Sequence, residues 1–533
     1  MREEGGAHVP QSQGLLKGTP WKAIVLFSVP LLIGNVVQQL YQFIDAMVVG
    51  RYLGVLSLAS VGASMSLLFL ITGFAWGMTS GFAIPVAQAF GANDVKGVRR
   101  SVAAGAILSA LSSLVMTLVG TIFIRPLLQL MQTPPELLDD AVTFGFWSFL
   151  FMFTLVFFDF LAAVIRAVGD SRTPLVFLVL SCLLNVVLVI LFVAVFEWGI
   201  AGAAISTAVS QLTSVLACVV WVRSRIPVLH LNRDDWKVTL PELREHLYLG
   251  LPLGFQTSVI AIGTIAVQVR LNALGPDSVA AFTAAGRVDG IAITFLASLG
   301  LATSTFVAQN YGARQIARVK LGVRQALVVS IVVSVAIGTS LFMLGGVFVE
   351  MFVGDGEPGV LTLAHDALKI YSVAYWTLGI LFVVRGSLQG LGHMKPPFYS
   401  GIAELIMRVF TAVVLGASFG FIGVAWGGPL AWVGSIALLI PSYIVISRKL
   451  NTRTYRQGPR TEEIEVLSAP FLAEKGVVAD PTILQGESFE DVRTGAIPIV
   501  RDRGETGQFP ALDEGDLLDA HDHTSEDPED EHR

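Results

Sequence analysis

Asp45 lies inside an apolar stretch, residues 30–50, that is long enough to cross a bilayer. A charge at that depth costs several kcal/mol, so an acid kept there marks a site of function before it marks a site of structure. Asn35, Gln38, Gln42 and Asp45 follow one another at spacings of three, four and three residues, which place all four on one face of a helix. Lipid satisfies no such face, so it must turn to protein or to water. A carboxylate there could take up H+ near neutrality, or hold Na+ with neighbouring amide oxygens. Pro30 sits about four turns earlier and removes a backbone bond, inviting a bend. Pro30, Asn35, Gln38, Tyr41, Gln42 and, in the second half, Gln256 are the residues expected to line or gate a substrate cavity.

Further polar residues lie within apolar runs. Asp159 could line the same cavity as Asp45 or pair along its own helix with Arg166. Asn185 could be an ion or substrate ligand, or a hydrogen-bonding link between helices. Together Asp45, Asp159 and Asn185 form the expected cation-coupling set, with Asp45 as the possible Na+ ligand. The second half carries a different group: Arg287, Asp289, Arg385, Glu404 and Arg408. Glu404 and Arg408 are four residues apart and can pair on one helical face, while Arg385 could be the counter-ion of any of these acids. The position matching Asp45 falls near Val267, so the two halves are not chemically equivalent.

The elements that carry these residues follow from composition. The 533 residues are 53% hydrophobic and only 14% charged, with mean hydropathy +0.68. Soluble chains carry about 25% charge. Twelve apolar runs of about twenty residues can be traced, six between residues 22 and 222 and six between 247 and 447. The fold class is therefore an all-α membrane protein of twelve transmembrane helices in two six-helix bundles. The predicted divisions are a flexible lead (1–20), an N-lobe (21–225), a cytoplasmic loop (226–246), a C-lobe (247–450) and a disordered acidic tail (451–533).

Basic residues orient the chain. Lys17, Lys22, Lys96, Arg99, Arg100, Arg166, Arg172, Arg314, Arg318, Lys320, Lys395 and Arg448 fall on one side, with the Arg-rich loop after residue 222. Acids such as Glu136, Asp139, Glu197, Glu350, Asp355 and Glu357 fall on the other. Both termini are thus cytoplasmic. His521 and His523 read as part of a solvated tail. Cys182 and Cys218 lie in apolar runs and offer no disulfide framework or metal spacing.

The halves repeat. AQAFGANDVKGVRR (87–100) matches AQNYGARQIARVK (308–320), RAVGDSRTPL (166–175) matches QGLGHMKPPF (389–398), and Pro30 matches Pro252, all about 221 residues apart. Two six-helix units in one orientation form a parallel repeat, which places a substrate site between bundles. The sequence contains no phosphate-binding loop, no glycine-rich dinucleotide loop after a strand and no zinc-helix motif. An enzyme is not expected, nor a cofactor beyond H+ or Na+ as the coupling ion.

These motifs, with AMVVGRYLG after Asp45, GRVDG at 286–290 and GIAELIMRV at 401–409, resemble the MATE (multidrug and toxic compound extrusion) family over about residues 20–450. The resemblance is nearest to the bacterial DinF-like branch. It implies an antiporter exporting organic cations or drugs in exchange for H+ or Na+, with Asp45 as the coupling carboxylate and bending at Pro30 accompanying its protonation. The chain departs from branches that place acids in the seventh and tenth helices. It also departs from those with an Asp one turn after the fifth-helix Asn, where Val189 stands here; Asp159 could substitute. Expected partners are small organic cations and membrane lipid, without nucleic acid, for a monomer in the cell membrane, the inner membrane of a bacterium. A lipid-linked sugar flippase of the wider superfamily, or a membrane protein that does not transport, are the alternatives.

Overall fold

The computed structural model describes residues 13–353 and 358–456. Residues 1–12 of the lead, Asp355 and Glu357, and the chain from 457 on, with His521 and His523, lie outside the described residues. Residues as far as Arg448 form one compact unit. Among the described residues eleven helices are long and apolar enough to cross a membrane, and the pair Pro135–Leu150 and Met152–Ala167, bent by 47°, makes a twelfth.

The first long helix, Pro20–Gly91, is broken by Gly54, which sits at φ 89°, ψ 176°. Glycine takes this conformation without the steric penalty of a Cβ. We number the spans α1 (20–53), α2 (55–91), α3 (Val95–Leu130), α4 (135–167), α5 (Arg172–Val195) and α6 (Gly199–Arg225). The second half holds α7 (Leu240–Leu274), α8 (Pro276–Gly312), α9 (Ile316–Val353), α10 (Pro358–Gly390), α11 (Lys395–Ala425) and α12 (Gly427–Arg456). Helical dihedrals continue through Pro30, since Gly54 is the non-helical residue of that stretch. The connection between halves ends earlier than the expected 246: Thr239 and Glu242 form a capping box that opens α7 at Leu240. The lead is structured from Gln13, where a 3-10 turn, Gln13–Leu15, precedes α1.

The backbone carries the repeat more sharply than the sequence does. Positive φ recurs at Gly54 and Gly275, at Asn93 and Arg314, at Gly169 and Gly392, and at Gly199 and Gly420, each pair about 221–223 residues apart. A wide π turn closes α5 at Leu191–Val195 and recurs in α11 at Thr411–Leu415. The C-lobe core gathers around Tyr371, Tyr375 and Trp432, the last two stacked 5.8 Å apart. The N-lobe core is built on Phe82, Phe144, Phe149 and Phe160.

The lobes meet along α2 and α7. Gly77 and Gly81 face Gly250 and Gly254, so closely that a Cβ on Gly77 would stand 2.6 Å from the Leu253 carbonyl oxygen. This is the small-xxx-small contact by which membrane helices approach backbone to backbone. Thr257 Oγ1 donates to the Gly73 carbonyl (2.8 Å) across this seam, and Asn35 Nδ2 of α1 donates to Ser298 Oγ of α8 (3.1 Å) between the same two lobes. Both bonds lie near mid-depth, and the remaining cross-lobe hydrogen bonds found among the described residues lie on the cytoplasmic side of them.

Candidate functional site

A cavity of about 460 Å³ opens within the N-lobe between α1, α2, α4 and α6. From α1 it receives Gln38, Tyr41, Gln42 and Asp45, the face that helical spacing selects. The bend of α4 at Phe151 turns Phe151, Met152 and Thr154 toward the same space. Met65 and Phe69 of α2 and Thr207 and Gln211 of α6 stand in the same wall.

Asp45 is 7% exposed, and its Oδ1 has no hydrogen-bond partner. The Tyr41 hydroxyl lies near Asp45, Thr207 and Ser210, outside hydrogen-bonding geometry. Opposite, Thr154 Oγ1 donates to Gln211 Oε1 at 3.2 Å. The wall also carries Met65, Phe69, Phe144, Phe151 and Met152, so the one buried carboxylate shares the cavity with polarizable surface. Such a site suits a charge that comes and goes.

Not every predicted residue is there. Asn35 leaves the stripe to bind Ser298 of the other lobe. Pro30 lies on α1 away from the cavity lining. Gln256, expected at a cavity, is 3% exposed; its Nε2 donates to the Pro397 carbonyl (2.6 Å) and its Oε1 accepts from Gln389 Nε2 (3.5 Å). It ties α7 to α11 and α10. Asp159 is half-buried on α4 with Arg166 as its nearest opposite charge, but the cavity wall ends above it. Arg166 instead lines a narrow gap between α2, α4 and α8.

Asn185 is fully buried behind the wall, with Nδ2 3.4 Å from Ser206 Oγ and 3.3 Å from Thr207 Oγ1. It links α5 to α6 and positions Thr207. Interhelical hydrogen bonds in membranes are worth about 0.6 kcal/mol on average and about 1.7 at most. Asn185→Ala should therefore lower the thermal midpoint of the purified protein by only a few degrees and leave efflux measurable. Complete loss of efflux in a folded variant would make Asn185 a ligand instead.

In the C-lobe the expected Glu404–Arg408 pair does not form. Arg385 of α10 takes Glu404 as its ion-pair partner and also donates to Ser400 Oγ (3.2 Å) and Ser435 Oγ (3.1 Å). Arg408 is the cation nearest Asp289, whose Oδ1 accepts from the Tyr375 hydroxyl at 2.8 Å. Arg287 is exposed on α8, eleven residues from Ser298 and so on nearly the same helical face. Sequence reasoning missed Phe69, Thr207 and Gln211. The last two stand at i, i+4 on α6, a polar spacing that could have flagged them.

The profile that defines the MatE family matches residues 30–191 and again 252–414, once in each lobe. The probable multidrug resistance protein YpnP of Bacillus subtilis is 29% identical over 414 residues, 77% of this chain and 90% of that one. The multidrug export protein MepA of Staphylococcus aureus is 21% identical over 415 residues, again 77% and 90%. Among solved structures, an outward-facing multidrug resistance MATE family transporter of the MOP superfamily superposes with TM-score 0.77 at 23% identity, covering 84% of this chain and all of that one. With the profile found twice, the backbone repeat and twelve apolar spans in agreement, this multi-pass membrane protein belongs to the MatE family.

Proposed function

We propose that the chain is a secondary active antiporter that exports organic cations or drugs from the cell in exchange for H+ or Na+. The observation that carries this reading is the Asp45 carboxylate, buried at the wall of the N-lobe cavity with one oxygen unpartnered. A buried carboxylate without a partner is costly. Binding either a proton or a cationic substrate removes that cost, and each displaces the other. Exchange at one group is antiport. Phe69, Phe144 and Phe151 offer ring faces to a cation, and Met65 and Met152 adapt to its shape. The multidrug names carried by the relatives agree with this class.

H+ is the better fit of the two ions. Asp45 supplies one carboxylate, while the other polar groups of the wall are amides and hydroxyls. A proton needs a single oxygen; Na+ needs several gathered around it. An N-lobe coupling site also agrees with the DinF-like resemblance. A carrier of lipid-linked pyrophosphate would need positive charge in its cavity. Among the described residues the lining here holds no Lys or Arg, and Arg385 and Arg408 face acids.

Inside-out vesicles loaded with the full chain test the reading. A fluorescent organic cation should accumulate when an outward H+ gradient is imposed, and collapse of that gradient should release it. Accumulation driven only by Na+ at constant pH would make Na+ the coupling ion. No response to either gradient would overturn the antiport reading.

A further inference from the structure

Gln88 and Gln309 occupy equivalent places in the repeat, AQAFG and AQNYG, each three residues before the glycine that ends its helix. The structure brings them to the cytoplasmic junction of the lobes with their roles exchanged. Gln88 Nε2 of the N-lobe donates to the Gly390 carbonyl of the C-lobe at 2.9 Å. Gln309 Nε2 of the C-lobe donates to the Ala167 carbonyl of the N-lobe at 2.8 Å. Gly390 and Ala167 are the last residues of α10 and α4. Carbonyls at that position have no donor within their own helix. Each glutamine thus satisfies an acceptor that its partner helix leaves open.

The backbones are fitted to the same contact. A Cβ on Gly91 would collide with the carbonyl oxygen of Gln309, and a Cβ on Gly312 with that of Gln88. Gln309 is fully buried. Around this junction each lobe also grips the segment that leads into the other. Arg318 of α9 donates to the carbonyls of Lys17 (2.8 Å) and Gly18 (2.7 Å), just before α1. Arg99 and Arg100 of α3 donate to the carbonyls of Pro227 (3.2 Å) and Lys237 (3.3 Å), and Arg100 pairs with Glu242 at 2.9 Å at the start of α7.

We infer that Gln88 and Gln309 are paired positioning residues of the transport cycle: their two reciprocal amide–carbonyl bonds close the cytoplasmic side, and their release lets the lobes part inward. Asp45 lies nine residues before the break at Gly54 and Gln88 lies 34 after it, so the pair stands about 25 residues of helix, about 37 Å, to the cytoplasmic side of Asp45; it touches neither ion nor substrate and acts through the relative position of the lobes. The closed junction and the α2–α7 glycine seam hold the lobes together from mid-depth to the cytoplasm. Opening inward requires both amides to let go at once, because one bond holds each end of a two-fold contact.

This inference rests on the alternating-access reading above, and its test reads distance rather than transport. Spin labels are placed at exposed positions on the cytoplasmic side of each lobe, by Arg172→Cys and Lys395→Cys, in the full chain in lipid nanodiscs. The native Cys182 and Cys218 are buried. In the Gln88→Met and Gln309→Met double variant, which keeps side-chain length and loses the donors, the ratio of long to short inter-label distances should rise by about tenfold. Each single variant should give part of that rise. Gly312→Ala, which wedges the junction by a different route, should move the distribution the same way. Unchanged distances in folded variants would overturn the lock, even with a lowered thermal midpoint. If the native protein itself held one distance at every pH and cation concentration, the alternating-access reading would fail first.

Discussion

Asp45→Asn should leave the protein folded and remove its ability to concentrate an organic cation against a gradient. The amide has nearly the shape of the carboxylate but neither binds a proton reversibly nor carries charge. One elementary charge crossing 100 mV is worth about 2.3 kcal/mol, about a fiftyfold concentration ratio. In the variant that ratio should fall to about one. Binding should weaken as well, because a cation in the cavity then meets neutral amides and hydroxyls. Efflux assays in cells lacking their own pumps, paired with cation binding to the purified protein, measure both. The variant should be no less stable than the native chain, since Asp45 Oδ1 has no hydrogen bond to lose. Gradient-driven export at the native rate in Asp45→Asn would remove this residue as the coupling group.

The second large effect is in the other lobe. Arg385 and Glu404 have side chains 9% and 4% exposed, and Arg385 also donates to the hydroxyls of Ser400 and Ser435. Removing one partner of such a pair strands the other charge, at a cost of about 3–5 kcal/mol. Arg385→Leu or Glu404→Leu should therefore lower the thermal midpoint strongly or prevent accumulation of folded protein. The double variant Arg385→Leu/Glu404→Leu should recover much of the loss, because no charge is then left buried. Scanning the three variants by thermal unfolding in one detergent closes the cycle. Single losses that simply add in the double variant would show that the two side chains act independently.

The spans and the repeat were legible because both rest on spacing along the chain. An apolar run of bilayer length needs no tertiary information, and AQAFG against AQNYG marks the same helix end in each half. Asp45 was legible for the same reason: a charge inside an apolar run stands out, and three-and-four spacing brings Gln38 and Gln42 with it. Partners set by folding were not. Helical spacing offers Arg408 to Glu404, but α10 delivers Arg385 from nineteen positions away. Gln256 reads like Gln38 in one dimension, yet folding buries it and gives it the Pro397 carbonyl as an acceptor, apart from the N-lobe cavity. Asp159 shares a helical face with Met152 and Leu155, and only the depth of the cavity decides that it stands below the floor.

The exchange of roles between Gln88 and Gln309 bears on ancestry. A contact in which residue i meets j while j meets i is the mark of a symmetric dimer. A half-length forebear of six helices would have carried the whole junction on one gene product, together with the π turn that both lobes still share. Fusion of two copies then freed each to drift alone. Asp45 against a site near Val267 is what that freedom looks like: one lobe holds a carboxylate at the position, and the other has an aliphatic side chain packed into its core.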